Sequence, residues 1–467
     1  MTASDWILIF LAFLAIGTLV VLVTKLKINA FIALLIASLI VGGGAVLLGR
    51  TLPNASGVEV PLTMLKIADS IKTGMGNTLG GIAAIIALGT MLGKLLAESG
   101  GAEVLAKEFI RFFGPQRIQL CIMALALAVG LTTWFAVGLV LLLPILVTLT
   151  RETRQPFLRL ALPLLACLSV MHGVMPPHPG PVLAVDKLNA QNGLVLLWGF
   201  IIGLPTAAIA GPLFARWAVR RVEANPPQVL DKSENTPAGF RYPGFKLTLL
   251  AILLPVMLML VATVAELSLP KGNQLRVSAS FIGNATTALL LSVLFGLWAL
   301  GTRCGYSLSQ LLRFTEQSVA SVGMTLVVIG GGGAFARVLT DTGVADAVGR
   351  LGQEAHLSPL LYGWMVSAFI RVATGSATVA ITTASGLLAP VIGQHPELTQ
   401  HQIALIICAV GCGSLFLSHL NDGGFWIVRD CLGLSVEQTL RTWTVCETIV
   451  GIVGMLISLV CYHAMAQ

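Results

Sequence analysis

Three ionisable side chains lie within or beside long apolar runs of this sequence, where a charge is costly. Arg371 stands alone in the apolar stretch 360–393, Asp422 follows the apolar run 402–418, and Glu447 lies near the start of the last apolar run. Ionisable groups in such segments mark candidate functional sites. A guanidinium can hold a carboxylate through two hydrogen bonds, or it can extend from a helix end to a polar surface. Asp422 and Glu447 are candidates for proton handling, and Glu447 could equally form a structural pair.

Small and hydroxyl-bearing residues interrupt one apolar stretch in each half of the chain. The stretch 371–390 reads RVATGSATVAITTASGLLAP, and its counterpart 131–144 reads LTTWFAVGLVLLLP. Small residues let two half-helices meet, while hydroxyl groups and helix N-termini can bind a polar anion. These features favour a re-entrant hairpin over ordinary small-residue helix packing. The candidate substrate contacts in this segment are Thr374, Gly375, Ser376 and Thr378.

Proline and glycine break a second pair of segments. The run MHGVMPPHPGP (171–181) cannot form a regular helix, and FLSHLNDGGFW (416–426) occupies the corresponding place later in the chain. Unwound backbone at membrane depth persists only where it lines a cavity or is buried in protein. The apolar flanks therefore favour a binding site over a proline-rich surface turn. The candidate substrate contacts here are His178, Gly180, His419, Asn421 and Asp422.

The composition restricts the class of protein. Of the 467 residues, 56% are hydrophobic and 10% are charged, whereas about 25% of the residues of soluble proteins are charged. This excludes an ordinary cytosolic enzyme and a disulfide-rich scaffold, and it predicts an all-α polytopic membrane protein. The net charge of +7 comes from basic loops between apolar runs. Such loops set the orientation in a membrane, so we expect no nucleic-acid partner.

The sequence predicts no cofactor and no metal site. The run GTMLGKL (89–95) has the wrong spacing for a phosphate-binding loop, and a leucine stands where that loop needs Ser or Thr. The eight cysteines lie mostly inside apolar runs, where they are expected to be buried hydrophobic residues. Because no nucleotide motif is present, we expect an ion gradient to supply the energy.

A polar linker divides the chain into two similar halves. We predict an N-terminal membrane repeat over 1–215, the linker over 216–245 and a C-terminal membrane repeat over 246–467. Residues 89–105 match 332–348 at an offset of 243, with a cation, an acid and a glycine in the same order.

The orientation of the two halves also follows from the basic loops. If these loops face the cytoplasm, the N-terminus lies outside, and the spans 79–97 and 322–340 run in opposite directions. This predicts two inverted-topology repeats with re-entrant hairpins and broken helices, an arrangement typical of secondary transporters.

Over nearly its whole length the chain resembles the gluconate permease family of the ion-transporter superfamily. The most specific pieces are 77–102, SVMHGVMPPHPGP (169–181), IGGGGAF (329–335), RVATGSATVA (371–380) and SHLNDGGFW (418–426). Members of this family are proton symporters for gluconate and related sugar acids in bacterial inner membranes, with a D-serine branch. The PPHPGP and SHLNDGGFW runs look more like those of the gluconate carriers.

The resemblance implies substrate contacts in three turns and a proton carrier in the first hairpin. The turns are 175–181, 374–378 and 419–424. The family usually has a Phe-Glu-Val-Gly motif in the first hairpin, whereas this chain has Ala136 in place of the glutamate. Because alanine cannot titrate, either this alanine is an engineered substitution that stops coupling, or this member couples through another group, with Asp422 and Glu447 as candidates.

We therefore expect a proton-coupled symporter for gluconate or a similar sugar acid in the bacterial inner membrane, working by alternating access. The superfamily resemblance also implies a homodimer. The runner-up function is a permease for D-serine or another small hydroxy acid. A passive channel and an intramembrane enzyme that uses His172, His178 and Asp422 are further alternatives, and we expect no enzymatic activity.

Overall fold

The chain folds almost entirely into helices. The computed structural model describes residues 2–53, 59–114, 117–131, 133–226, 240–270, 272–347, 350, 358–419 and 422–465. Within these ranges the only strands are β1 (Thr51–Pro53) and β2 (Glu59–Pro61), which pair antiparallel. The predicted all-α polytopic class is confirmed, with this short hairpin as an addition that the sequence analysis did not foresee.

The helices of the first half begin at the N-terminus and end before the polar linker. Several start at Thr or Asn residues whose side chains accept a backbone N–H of the first turn, as Thr2, Asn29 and Thr63 do. A π-helical turn joins α9 to α10. In chain order the helices are α1 (Ala3–Thr24), α2 (Ala30–Leu47), α3 (Met64–Glu98), α4 (Gly101–Phe113), α5 (Ile118–Gly130), α6 (Phe135–Thr153), α7 (Phe157–Val174), α8 (Pro179–Lys187), α9 (Asn192–Ala208) and α10 (Phe214–Ala218).

The second half repeats the spacing of the first. The helices α7 and α18 begin at Phe157 and Gln400, an offset of 243, and α8 and α19 begin at Pro179 and Gly423, an offset of 244. The helices of this half are α11 (Phe245–Ser268), α12 (Gln274–Ile282), α13 (Ala285–Gly296), α14 (Leu308–Ser321), α15 (Gly323–Asp341), α16 (Pro359–Thr374), α17 (Ala377–Gly393), α18 (Gln400–Leu415), α19 (Gly423–Leu432), α20 (Val436–Thr439) and α21 (Val445–Ala464).

The repeated spacing supports two related halves. The boundaries at 1–215 and 246–467 and the inversion of one half relative to the other remain predictions. Most of the predicted linker, residues 227–239, lies outside the described residues.

Six helical segments of the described chain are long and apolar enough to cross a membrane. A seventh candidate is the bent pair that makes up α3. The six segments are Ala30–Leu47, Phe157–Lys187, Asn192–Ala218, Phe245–Glu266, Ala285–Cys304 and Val436–Ala464.

Two pairs of helices are each separated by a short break in the chain. In the first, α5 ends at Gly130 and α6 begins at Phe135. In the second, α16 and α17 meet at Gly375, which has a left-handed φ of +70° that favours glycine. A Cβ atom placed on Gly363 of α16 would lie 3.1 Å from Leu388 of α17. Contact so far from the turn requires the two helices to run back along each other.

Two further pairs are broken helices whose breaks lie side by side. The chain is non-helical between Val174 and Pro179, and again between Leu415 and Gly423. The helices α7 and α18, which precede these breaks, are buried along almost their whole length. They touch where a Cβ atom on Gly411 would collide with the Gly173 carbonyl oxygen. This close approach brings both broken ends to the centre of the molecule.

Hydrogen bonds between distant turns place several basic segments on one face of the molecule, here called the basic face. The Gln119 side chain donates to the Arg159 carbonyl oxygen (2.8 Å), which brings the start of α5 beside the start of α7. The Tyr306 hydroxyl donates to the Glu98 carbonyl oxygen (2.6 Å), which brings the turn after α13 to the end of α3. The basic residues of these turns and their neighbours are Lys107, Arg111, Arg117, Arg151, Arg154, Arg159 and Arg303.

The opposite face carries the C-terminal ends of α8 and α17. The Gln400 side chain donates to the Asn189 carbonyl oxygen (3.2 Å), which joins the turn after α8 to the start of α18. The α7–α8 pair therefore runs from the basic face through its central break to the opposite face.

Candidate binding site

Three helices begin at the wall of one pocket, here called the central cavity. Its volume is about 280 Å³, near the lower end of the range of about 300–1,000 Å³ typical of small-molecule sites. The first residues of α6, α17 and α19 line it. The backbone N–H groups at a helix N-terminus lack partners within the helix and carry partial positive charge. Three such ends at one cavity favour a bound anion.

Arg371 supplies a full positive charge to the same cavity from the last turn of α16. Its side chain is buried, with 4% of its surface exposed. One terminal nitrogen donates to the Gly375 carbonyl oxygen (2.7 Å), and the other forms an ion pair with Asp422. The Nε atom is buried and has no hydrogen-bond partner among the described residues. Arg371 therefore keeps one donor for a bound molecule.

Asp422 is held in place by three donors. Besides Arg371, the Ser418 hydroxyl donates to its carboxylate, and the Gly424 backbone N–H donates to Oδ1 (2.7 Å). The last bond makes Asp422 the N-cap of α19. Ser418 in turn accepts a hydrogen bond from the Trp443 indole (2.7 Å). This network joins the ends of α16 and α18 and the start of α19 to the segment before α21.

Glu447 and His172 face the cavity with polar atoms that lack partners. Glu447, in the first turn of α21, is 1% exposed, and its Oε1 has no hydrogen-bond partner among the described residues. Ser169 of α7 hydrogen-bonds to the same carboxyl group. The Nδ1 atom of His172, one turn further along α7, is also buried without a partner. Buried polar atoms are normally satisfied, so an unpaired set around a cavity indicates a ligand.

The structure brings one group of the sequence-predicted residues together at the central cavity and places the others elsewhere. Thr374 ends α16, but its side chain lies outside the described part of the structure. Asn421 lies wholly outside the described residues. Of the predicted residues, those that line the cavity are Ala136, Arg371, Gly375, Ser376, Thr378, Asp422 and Glu447.

Three residues that were expected to contact the substrate pack against neighbouring segments outside the wall of the central cavity. The His178 ring nitrogen Nε2 hydrogen-bonds to the Gly130 carbonyl oxygen (2.6 Å), so the ring joins the α7–α8 break to the end of α5. Gly180 packs against α17, where an added Cβ atom would lie 2.6 Å from Ile381. His419 hydrogen-bonds to the Val372 carbonyl oxygen (3.2 Å). None of the three is among the lining residues of the central cavity.

The geometry of His178 predicts a structural role for its ring. His178→Ala leaves the buried Gly130 carbonyl without its partner, which costs about 1–3 kcal/mol. We expect a lower melting temperature of the purified protein and a smaller effect on ligand affinity. Thermal unfolding and binding of a labelled sugar acid check this, with His419→Ala as the matched control. A tenfold loss of affinity at an unchanged melting temperature would instead place His178 in the binding site.

His172 was expected only as part of the enzymatic alternative. Further residues of the cavity wall that were not among the candidates include Ser169, Trp134, Phe135 and Trp443. Ser169 and His172 lie three residues apart on α7, just before the proline-rich break, so helical spacing could have found them. Trp134 and Phe135 flank the break between α5 and α6 and could have been found from that position. Trp443 comes from a π-helical turn far along the chain and had no local signal.

Comparison with known proteins identifies a family and a fold that this chain shares. The profile of the GntP family permeases matches residues 6–464. A gluconate permease of Pseudomonas aeruginosa is 41% identical over 454 residues, which cover 97% of each chain. The Gnt-II system L-idonate transporter of Escherichia coli is 38% identical over 94% of this chain and 96% of its own. The solved structure of Neisseria gonorrhoeae MtrF shares the fold, with a TM-score of 0.61 at 14% identity over 92% of this chain and 94% of that chain.

Proposed function

This chain belongs to the GntP permease family, and from that premise we propose that it carries gluconate or a similar sugar acid together with protons across the bacterial inner membrane. The chain is a multi-pass membrane transporter and not an enzyme, so the enzymatic alternative is wrong. The identity of the transported molecule rests on the names of the relatives and on the chemistry of the central cavity.

The observation that carries the proposal is the convergence of Arg371 with three helix N-termini on one cavity. A sugar acid has a carboxylate at one end and hydroxyl groups along the rest. The carboxylate would bind the free Nε of Arg371 and the N-terminal N–H groups. Hydroxyl groups would bind Thr378 and the unpaired Nδ1 of His172.

The charges of the cavity support coupling to protons. Arg371 contributes one positive charge, and Asp422 and Glu447 each contribute a negative charge when ionised. Adding an anionic substrate to a buried site that already has a net negative charge is costly, because a buried charge needs a compensating partner. A proton bound by one of the two carboxyl groups removes this excess and lets the anion enter.

Glu447 is the better candidate for that proton. Asp422 is already engaged, because it accepts hydrogen bonds from Arg371, Ser418 and Gly424. Glu447 has one unpaired oxygen and no cation in contact among the described residues. Ala136 lines the same cavity, so Glu447 would supply here the carboxyl group that the family usually carries at position 136.

The basic face gives the orientation that we propose. Loops rich in Lys and Arg remain in the cytoplasm, so the basic face would lie inside, and the ends of α8 and α17 would lie outside. Alternating access would move part of each half around the central cavity. A homodimer is also part of the proposal, and it rests on the superfamily resemblance alone.

The experiment that tests the substrate assignment is counterflow in proteoliposomes. Vesicles preloaded with unlabelled gluconate should take up radiolabelled gluconate transiently above the external concentration, because a carrier exchanges its substrate. Excess L-idonate should compete, and D-serine should not. If D-serine competes and L-idonate does not, the substrate assignment changes from a sugar acid to D-serine. Entry of labelled gluconate without counterflow would indicate a channel.

A further inference from the structure

A second pocket, here called the basic cavity, lies at the ends of several helices away from the central cavity. Its volume is about 230 Å³. Lys187 ends α8 at its wall, Arg337 and Thr340 reach it from the last turns of α15, and the segment 386–390 of α17 closes one side. The cavity exists because the surrounding helices meet at glycines. A Cβ atom on Gly386 would lie 2.9 Å from Ala336, so the helix backbones approach closely beneath the cavity.

The described lining of the basic cavity includes two cations, Lys187 and Arg337, and no carboxylate. Arg337 forms an ion pair with Asp341 (2.8 Å), and Asp341 also accepts a hydrogen bond from Ser70 (2.7 Å). Lys187 is half-buried and has neither an ion pair nor a hydrogen bond among the described residues. The neighbouring carboxylate of Asp186 attracts Lys187 electrostatically, but it is exposed and lines a different cavity.

Helix geometry places the basic cavity between the central cavity and the opposite face. Ala377 begins α17 at the central cavity, and Gly386 lies nine residues further along the helix. At about 1.5 Å per residue, this is a distance of roughly 14 Å. The turns that follow α8 and α17 lie on the face opposite the basic turns, joined there by the bond between Gln400 and Asn189.

We propose that Lys187 and Arg337 form a second anion site, a vestibule that collects the substrate carboxylate on the outer side before it reaches the central cavity. The proposal rests on the proposed function for the identity of the substrate. A half-buried lysine beside a more exposed arginine, in a lining without a carboxylate, raises the local concentration of anions, and a cleft with low-dielectric walls strengthens that field. The same chemistry could hold a lipid phosphate, which the experiment below distinguishes.

The first arm of the experiment measures the charge of the cavity without any transport. Thr340→Cys places a thiol in the wall of the basic cavity. In detergent-solubilised protein, its modification by a negatively charged and by a neutral methanethiosulfonate is followed by peptide mass spectrometry. The ratio of the two rates should fall about three- to tenfold when Lys187→Gln is added. It should remain unchanged with Lys187→Arg, and gluconate should slow the anionic reagent. An unchanged ratio in Lys187→Gln would overturn the anion site.

The second arm measures whether that charge serves the substrate. In proteoliposomes at low ionic strength, Lys187→Gln should raise the KM for gluconate several-fold at an unchanged kcat. The difference should shrink at high salt, and Lys187→Arg should restore the KM. Lys72→Gln is the matched control, because Lys72 is exposed on α3 and pairs with Asp69. A KM equal to that of the wild type would overturn the vestibule.

Two outcomes separate this proposal from its alternatives. If the effect of Lys187→Gln on the KM disappears in vesicles made only of phosphatidylcholine, the site holds an anionic lipid and the vestibule is wrong. If the wild type transports no gluconate, the proposed function fails. The first arm still decides the anion site in that case, because the labelling ratio and protection by gluconate do not depend on transport.

Discussion

Arg371→Gln is expected to abolish binding of gluconate to the purified protein. The substitution removes the full positive charge of the central cavity and the unpaired Nε donor of a residue that lines it. It also leaves Asp422 as a buried negative charge without its cation. Breaking such a pair destabilises the fold by about 3–5 kcal/mol. Separately, loss of the charged contact to the substrate costs about 2–5 kcal/mol of binding free energy, which lowers the affinity by at least about thirtyfold. Equilibrium binding of radiolabelled gluconate in detergent measures the effect.

A loss of folding must be separated from a loss of binding. The double variant Arg371→Gln/Asp422→Asn removes both charges of the buried pair, so its melting temperature should recover most of what the single variant loses. Its affinity should not recover, because the cation is still absent. Gluconate binding by the double variant with wild-type affinity would remove Arg371 from the substrate site and leave it a purely structural partner of Asp422.

Glu447→Gln is expected to stop accumulation of gluconate while exchange continues. Glutamine has nearly the same shape as a protonated glutamate, so the cavity remains in the form that accepts an anion. It can no longer release a proton, and the gradient therefore no longer drives uptake. In proteoliposomes with an inward proton gradient, the gluconate concentration inside the vesicles should rise only to the external concentration. All uphill accumulation is then lost. Counterflow of labelled gluconate should remain within a few-fold of the wild-type rate.

The affinity of Glu447→Gln for gluconate is expected to depend on pH differently from that of the wild type. Because the wild type must bind a proton before the anion, its affinity for gluconate should rise as the pH falls. The affinity of Glu447→Gln should stay level over the same range. Glu437→Gln is the matched control, since Glu437 is exposed and pairs with Arg441. Uphill accumulation by Glu447→Gln would place the coupling proton on Asp422 or another group.

The breaks in the helices could be predicted because their signals are local. Glycine, proline and hydroxyl residues interrupt apolar runs at 131–134, 175–178 and 375–376, and the structure ends or begins a helix at each place. The candidate residues Arg371 and Asp422 stood out for a similar reason, since each is a charge in an apolar context. Physical rules that act over a few residues were sufficient for these features.

The mutual arrangement of these groups could not be predicted in the same way. Arg371 and Asp422 are 51 residues apart, and their contact depends on how α16 packs against α18. His178 was expected to contact the substrate, but its ring bonds to the end of α5. The sequence marks the broken segment, whereas the direction of a side chain within it depends on the neighbouring helices. Trp443 lines the cavity for the same long-range reason.

The measurement that most directly tests the central claim is accumulation of radiolabelled gluconate in proteoliposomes under an imposed inward proton gradient, for the wild type and for Ala136→Glu. We expect the wild type to accumulate gluconate above its external concentration, and a protonophore to abolish the excess. Glu447 then suffices as the proton carrier without a carboxyl group at position 136. Accumulation only by Ala136→Glu would contradict Glu447 as a sufficient proton carrier. No accumulation by either protein would contradict proton-coupled transport of gluconate.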